Sequence, residues 1–245
     1  MRNPFSDRLS SSTFRRPLIL GAIILGFAAL EISCTPSSRR KDSLREGDLI
    51  FQANEGSDFV SAIEAVTSSK DPGMSFSHVG IVHYREGIKA PYVIEATPSY
   101  GVVATPLSEF LDSSAHSSVD GCPLVRVKRY PDARIARKAA QRSLKFLGKE
   151  YDFLFSPGQE TLYCTELVYY CFRTDDGKPL LNTNPMTFKD STGKTSPLWE
   201  EYYARREAPI PEGVPGTNPN DMFGEEVFMD VDITPSQLER LANVK

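Results

Sequence analysis

Phe76–Thr97 reads FSHVGIVHYREGIKAPYVIEAT. Its two ends are rich in β-branched and aromatic residues, and the middle carries Gly87 among charged residues, so the stretch predicts two strands joined in a hairpin. A turn centred near Gly87 pairs residues whose numbers sum to about 175, which sets Glu95 opposite Gly80 and on the face that carries His78. A sum of 173 would set Glu95 directly opposite His78, whereas 174 would turn them to opposite faces. Gly80, without a side chain, leaves room for an imidazole and a carboxylate to meet. Glu95 stands between Ile94 and Ala96 in a run otherwise fit for burial, where an unpartnered carboxylate is costly.

Outward from the hairpin the chain alternates short strands with helices. REGDLIFQ (Arg45–Gln52) reads as a turn feeding a strand, and DFVSAIEAVTS (Asp58–Ser68) as a short helix with Phe59, Ile63 and Val66 on one side. GVVATPL begins a third strand that runs into one helical turn at LSEFL. CPLVRVKRY alternates Leu124, Arg126, Lys128 against Val125, Val127, Arg129, the pattern of a strand with one wet face. In PDARIARKAAQRSLKFLGKEYD, Asp132 caps a helix whose stripe is Ile135, Ala139, Leu144 and Leu147, and Gly148 ends it in the left-handed conformation. A second helix starts near Cys164. Arg173–Thr195 reads as a long polar surface loop, SPLWEEYYARR as a helix, APIPEGVPGTNPND as a proline-rich connector, and EVFMDVDITPSQLERLA as an edge strand with a last helix. Antiparallel strands with interspersed helices make the class α+β.

The 245 residues are 40% hydrophobic and 24% charged, with a net charge of -4. No clustered basic face is evident, so no nucleic-acid partner is expected. Arg2, Arg8, Arg15 and Arg16 precede an apolar run from Leu18 to Leu30, shorter than the about 20 residues a spanning helix needs. Residues 1–33 therefore read as an export signal. ISCTPSS follows, and Cys34 after Ile32-Ser33 resembles a lipoprotein processing site, although Glu31 stands where leucine is usual. Residues 34–43 then form a lipidated cysteine and linker, 44–245 one domain (core 44–172, C-terminal extension 173–245), and the destination is the cell envelope, on a membrane through the lipid anchor.

The chemistry narrows to a few side chains. His116 lies in a polar loop and reads as solvated. His78 and His83 sit five apart on one strand and face opposite sides; His78, at the strand entrance, is the better candidate. Cys164, Leu167, Val168 and Cys171 form one helical stripe, which is how a buried face looks. The first helical turn also carries free N–H groups and the positive end of the dipole, which favour a thiolate and an oxyanion. Cys164 fits either role. Cys164 and Cys171 lie about 10 Å apart on a helix, beyond the roughly 7 Å reach of a disulfide; a Cys122–Cys171 bridge stays open.

GDLIF (Gly47–Phe51), FSHVGIV (Phe76–Val82), VIEATP (Val93–Pro98) and YCTELV (Tyr163–Val168), in this order, resemble the YiiX/YebB-like branch of the NlpC-type cysteine peptidase superfamily, related to the lecithin:retinol acyltransferase-like proteins. That resemblance implies a circularly permuted papain-like fold, an antiparallel sheet or partly open barrel packed against helices. It implies Cys164 as nucleophile, His78 as general base, Glu95 as the residue orienting it, and Tyr163 in a contact to oxyanion or substrate, with no cofactor. Asp48 and Glu166 match motif positions too and read as structural. The substrate implied is an amide of a cell-wall stem peptide. Acyl transfer or esterase action on lipid acyl groups, and a non-catalytic envelope lipoprotein, are the alternatives. A zinc site built from Cys164, His78 and Glu95 lacks the usual ligand spacings.

Overall fold

A computed structural model describes residues 43–54, 62–63, 66–67, 71 and 73–244. The export signal, Cys34 and most of the expected Asp58–Ser68 helix lie outside the described residues, although Ala62, Ile63 and Val66 are helical. Among the described residues no helix is long and apolar enough to cross a membrane.

Six strands form one open antiparallel sheet: β1 (Leu49–Gln52), β2 (His78–His83), β3 (Tyr92–Thr97), β4 (Gly101–Pro106), β5 (Val125–Arg129) and, at the edge, β8 (Met229–Asp230), in the order β4-β3-β2-β1-β5-β8. A separate two-stranded ribbon pairs β6 (Asn184–Pro185) with β7 (Pro215–Gly216). The helices are α1 (Leu107–Asp112), α2 (Ala133–Ser143), α3 (Cys164–Cys171), α4 (Pro197–Ala204), α5 (Pro219–Phe223) and α6 (Pro235–Ala242). The expected hairpin forms in the 175 register, with Ile81 opposite Ile94 and Val82 opposite Val93, around Gly87 at φ 77°.

Both faces of the sheet are covered, so its central strands are apolar throughout instead of alternating. Leu49, Phe51, Val79, Ile81, Ile94 and Ala96 face α2 and α3; Ile50, Val82, Val93, Val125 and Val127 face α1 and α6. Side chains of period two thereby feed two separate cores.

Local signals account for most helix ends. Asp132 accepts from the amides of Arg134 and Ile135 at 2.8 and 3.3 Å, and Gly148 stops the helical run at φ 84°. Thr234 and Gln237 close a capping box on α6. Two expectations are corrected. The buried face of α2 is Ala136, Ala139, Ala140 and Ser143, not the stripe ending at Leu147, which is 41% exposed. Small residues win because the backbone comes close: a Cβ on Gly47 would stand 2.2 Å from the Ala136 carbonyl oxygen. The wet face of β5 is reduced to the exposed Arg126, since Lys128 on that face is buried, as is Arg129 on the other. Lys128 Nζ meets Asp230 Oδ1 of β8 at 2.8 Å and lies over the Phe223 ring. Arg129 grips the buried Asp48 carboxylate through Nε and Nη2, both at 2.7 Å. Burial raises the Asp48 pKa despite this guanidinium, and Arg45 N adds a third donor at 2.7 Å. Asp48 is thus the strand-entry anchor its position suggested.

Arg173–Thr195 is not a plain surface loop. It carries β6 and the 5% exposed Phe188, which joins Trp199, Tyr203 and Ala62 in a third apolar cluster. The connector likewise ends in α5, capped by Asn218 through the Asp221 amide at 2.9 Å. Cys122, Cys164 and Cys171 are free thiols.

Candidate active site

His78 and Glu95 lie on the α1 face of the sheet, as the register requires, and the His78 ring sits 5.9 Å from that of Phe110 on α1. Helix α3 packs on the opposite face. A side chain can meet both only where the strand ends, and His78 is the first residue of β2. Its imidazole meets Glu95, and the Cys164 thiol lies near enough to act with that carboxylate on the ring's proton. Nε2 takes the Glu95 contact, at 2.5 Å from Oε2, which leaves Nδ1 for the sulfur. Gly80 makes this possible: a Cβ there would lie 2.3 Å from Val93 Cγ1 and 3.3 Å from Glu95 Cβ.

Burial by itself would push the His78 pKa down, but the neighbouring Cys164 and Glu95 side chains overcome it and hold the ring up to about 10. Burial acts on Glu95 in the opposite sense, and the imidazolium together with Thr105 keeps its carboxyl below the ordinary value. Thr105 Oγ1 donates to Glu95 Oε1 at 2.5 Å. Both carboxylate oxygens are therefore engaged, and a chain runs Thr105, Glu95, His78, Cys164. The three last residues are linked in series and do not converge on a common point, and among the described residues no group of three or more His, Cys, Asp or Glu could hold a metal ion.

Cys164 is the first residue of α3, and its N-cap Tyr163 supplies no side-chain cap. Among the described residues the amides of Cys164 and Thr165 have no acceptor. The stripe of Cys164, Leu167, Val168 and Cys171 is buried, as its spacing suggests. Cys164 still opens onto a cavity of about 490 Å³, whose walls include His78, Tyr151, Tyr163, Phe155, Met186 and Trp199. The two readings of this residue were compatible: the helix buries its stripe, and the sulfur at the end of that stripe emerges where the helix begins.

The far end of the chain holds the two halves of the site together. Thr217 N donates to the Tyr163 hydroxyl at 3.1 Å, and Thr217 Oγ1 to Thr165 Oγ1 at 2.7 Å. Three residues later the fully buried Asn220 accepts from Phe76 N at 2.8 Å and donates to Thr67 Oγ1 at 2.8 Å and Ser75 Oγ at 3.3 Å. One short segment thus binds both neighbours of Cys164 and the strand entrance leading to His78. Thr105, Tyr151, Thr217 and Asn220 were not singled out from the sequence. Thr105 shares the Glu95 face of β4, which strand parity alone could have shown; Thr217 and Asn220 lie in a proline-rich connector that gives no signal.

The other candidates fall elsewhere. His83 faces away from the site, with Nδ1 2.9 Å from Glu46 Oε1. His116 is exposed, as expected. Glu166 accepts from Gly158 N, in the loop before the helix, at 3.2 Å, a structural contact. Burial raises its pKa to about 8, and among the described residues its Oε2 has no partner.

Residues 43–231 match the family described as permuted papain-like amidase, YaeF/YiiX, C92. The chain belongs to this family. In this chain the histidine strand precedes the cysteine helix. A curated relative, the uncharacterized protein YiiX of Escherichia coli strain K12, is 33% identical over 127 residues, 52% of this chain and 56% of the relative; the match therefore spans little more than half of that protein. The crystal structure of YiiX from Escherichia coli O157:H7, described as a metalloprotein, superposes with a TM-score of 0.61 at 25% identity, covering 78% of this chain and 97% of that one. Membership in a family described as permuted papain-like amidases supports a hydrolase at the level of class. It also extends the family domain past residue 172 to residue 231, consistent with β8 completing the main sheet.

Proposed function

We propose that the protein is an exported, lipid-anchored cysteine amidase that cleaves an amide of a cell-wall stem peptide through an acyl-enzyme. The reading rests on one observation: Cys164, at a helix start whose N-cap offers no side-chain cap, stands beside an imidazole that is fixed on its other side by a buried carboxylate. His78 takes the thiol proton, and Sγ adds to the substrate carbonyl carbon while the carbonyl π pair moves to oxygen. The free amides at the start of α3 face that developing charge. The tetrahedral adduct collapses, the C–N bond breaks, and the His78 proton leaves on the amine. Water, deprotonated by His78, then hydrolyses the thioester and restores the thiol. Glu95 fixes the ring orientation and stabilises its charged form, and the Tyr163 ring forms part of the wall against which substrate would lie.

The apolar walls of the cavity, Phe155, Met186 and Trp199 among them, favour a second substrate class for the same residues, an acyl ester or lipid acyl group. The purified full-length protein, assayed on stem peptides and on acyl esters with Cys164→Ala as control, separates the two. Equal product from Cys164→Ala and the native protein would sink both and leave a binding lipoprotein. Anchoring rests on the sequence around Cys34: native protein is expected in the detergent phase of a Triton X-114 partition, and Cys34→Ser in the aqueous phase.

A further inference from the structure

We infer that the protein docks on an anionic lipid bilayer through an exposed apolar and cationic tip beside the mouth of the catalytic cavity, built from the β3–β4 turn and the segment Leu147–Leu154. The inference concerns where the site points, uses no catalytic residue and goes beyond the amidase reading.

Of the eight large apolar side chains exposed among the described residues, four stand on these two stretches: Tyr100 at 76%, Leu147 at 41%, Phe153 at 39% and Leu154 at 38%. Single exposed apolar residues are ordinary, but a group of them marks a surface that meets something. The backbone holds the two stretches together. Gly148 N donates to Val102 O at 2.9 Å, and Val102 N to Lys149 O at 2.8 Å. The approach is so close that a Cβ on Gly101 would stand 2.1 Å from the Lys149 carbonyl oxygen. Pro98, in the same turn as Tyr100, lines the catalytic cavity and also an adjoining hollow walled by Phe153, Tyr202 and Arg206.

Charge selects the occupant. The chain carries a net charge of -4, yet Ala133–Lys149 holds six cations and no acid. Asp175 takes Arg134 and Lys138, and Arg142 donates to the carbonyl oxygens of Cys171 and Arg173. Lys145 and Lys149, which flank Leu147, have no carboxylate partner among the described residues. On the other border the Arg206 guanidinium lies 3.5 Å from the centre of the Tyr202 ring and 5.4 Å from that of Phe153. Glu150 is the exposed acid within Leu147–Leu154, so cations outnumber it. Aromatic and aliphatic side chains rimmed by lysine and arginine suit the surface of an anionic bilayer, where rings settle at the headgroup level and cations meet phosphate.

The tether reaches. At Gly47 the chain passes Ala136 near the start of α2, and Gly148 follows the other end of that helical run, about 18 Å away at about 1.5 Å per residue. The eight residues between Cys34 and Ser43 can extend about 28 Å, so a bilayer that holds Cys34 is within reach of the tip. Docked this way, the mouth bordered by Pro98 faces the bilayer, and a substrate lying on that surface enters without leaving it.

The test uses the full-length protein and reads its partition into vesicles of equal parts phosphatidylglycerol and phosphatidylcholine against phosphatidylcholine alone, at low salt. The ratio of the two removes whatever an apolar N-terminus or a lipid contributes to both. Each cation near an anionic surface is worth about fivefold, so Lys145→Glu with Lys149→Glu is expected to lower the ratio at least about 25-fold. Lys189→Glu with Lys194→Glu, outside the tip, is expected to change it within about threefold. Independently of any variant, amide exchange at residues 98–101 and 147–154 is expected to slow on the anionic vesicles. An unchanged ratio in the first pair, or an equal fall in both pairs, would overturn the docking face. Protection of the same amides that appears without vesicles as protein concentration rises would give the face to a second copy and overturn it too.

Discussion

Replacing Glu95 by Gln removes one charge from the site and little else. The amide is isosteric, its carbonyl oxygen still accepts from His78 Nε2, and the burial that opposes imidazolium is unchanged. The carboxylate lies 2.5 Å from the ring nitrogen and is 7% exposed, so solvent screens the pair little. With charge centres about 4 Å apart and an effective dielectric constant near 20, the pair is worth about 4 kcal/mol, or about three pKa units at about 1.4 kcal/mol each. The retained hydrogen bond returns part of this, so the His78 titration midpoint is expected to fall about two units from about 10. The sign follows from charge: a carboxylate stabilises the protonated ring, and its loss releases the proton at lower pH. Imidazole ¹⁵N shifts report this directly, and with only three histidines the His78 signal is assigned by its absence from His78→Gln. The iodoacetamide rate at pH 7 is expected to fall tenfold or more and to approach the native rate above about pH 9, where thiols ionise without an imidazolium. A midpoint unmoved by Glu95→Gln, or a rate lowered equally at every pH, would refute the electrostatic account of this pair.

Gly80→Ala puts a Cβ 2.3 Å from Val93 Cγ1 and 3.2 Å from the Ile94 carbonyl oxygen. Overpacking of this kind costs about 1–3 kcal/mol, measurable by urea unfolding, and the displaced Glu95 should slow Cys164 alkylation. Asn220→Ala leaves the Phe76 amide buried without its acceptor, a cost of about 1–3 kcal/mol; lower stability together with a slower iodoacetamide reaction is expected, and stability loss alone would show that the segment does not set the site. Glu166→Gln is expected to match native stability at pH 5 and exceed it at pH 9. The fold keeps this carboxyl protonated up to about pH 8 against 4.5 for the ordinary group, so its penalty to the native state grows as pH rises through that window. Thermal midpoints that differ equally at both pH values would contradict this.

The local grammar of the chain reached far. Hairpin, register, helix caps and the order of strands and helices follow from side-chain period, turn glycines and capping residues, because each is decided by neighbours a few positions away. The same reasoning placed His78 and Glu95 on one face and Cys164 at a helix start. It failed on α2, where a backbone approach from Gly47 selects alanines over larger apolar residues, and on β5, where β8 arrives from about a hundred residues away to cover Lys128.

What the sequence by itself determined is the inventory: an antiparallel sheet with interleaved helices, a thiol at a helix N-terminus, and an imidazole within one strand pair of a carboxylate. Only the tertiary structure decided that the imidazole, by standing at the end of its strand, reaches from one face of the sheet to a helix packed on the other. It alone set Tyr151 beside the sulfur and brought Thr217 and Asn220 back to join helix and strand. These contacts join residues tens to more than a hundred positions apart. They depend on how whole faces pack, and no local periodicity records that.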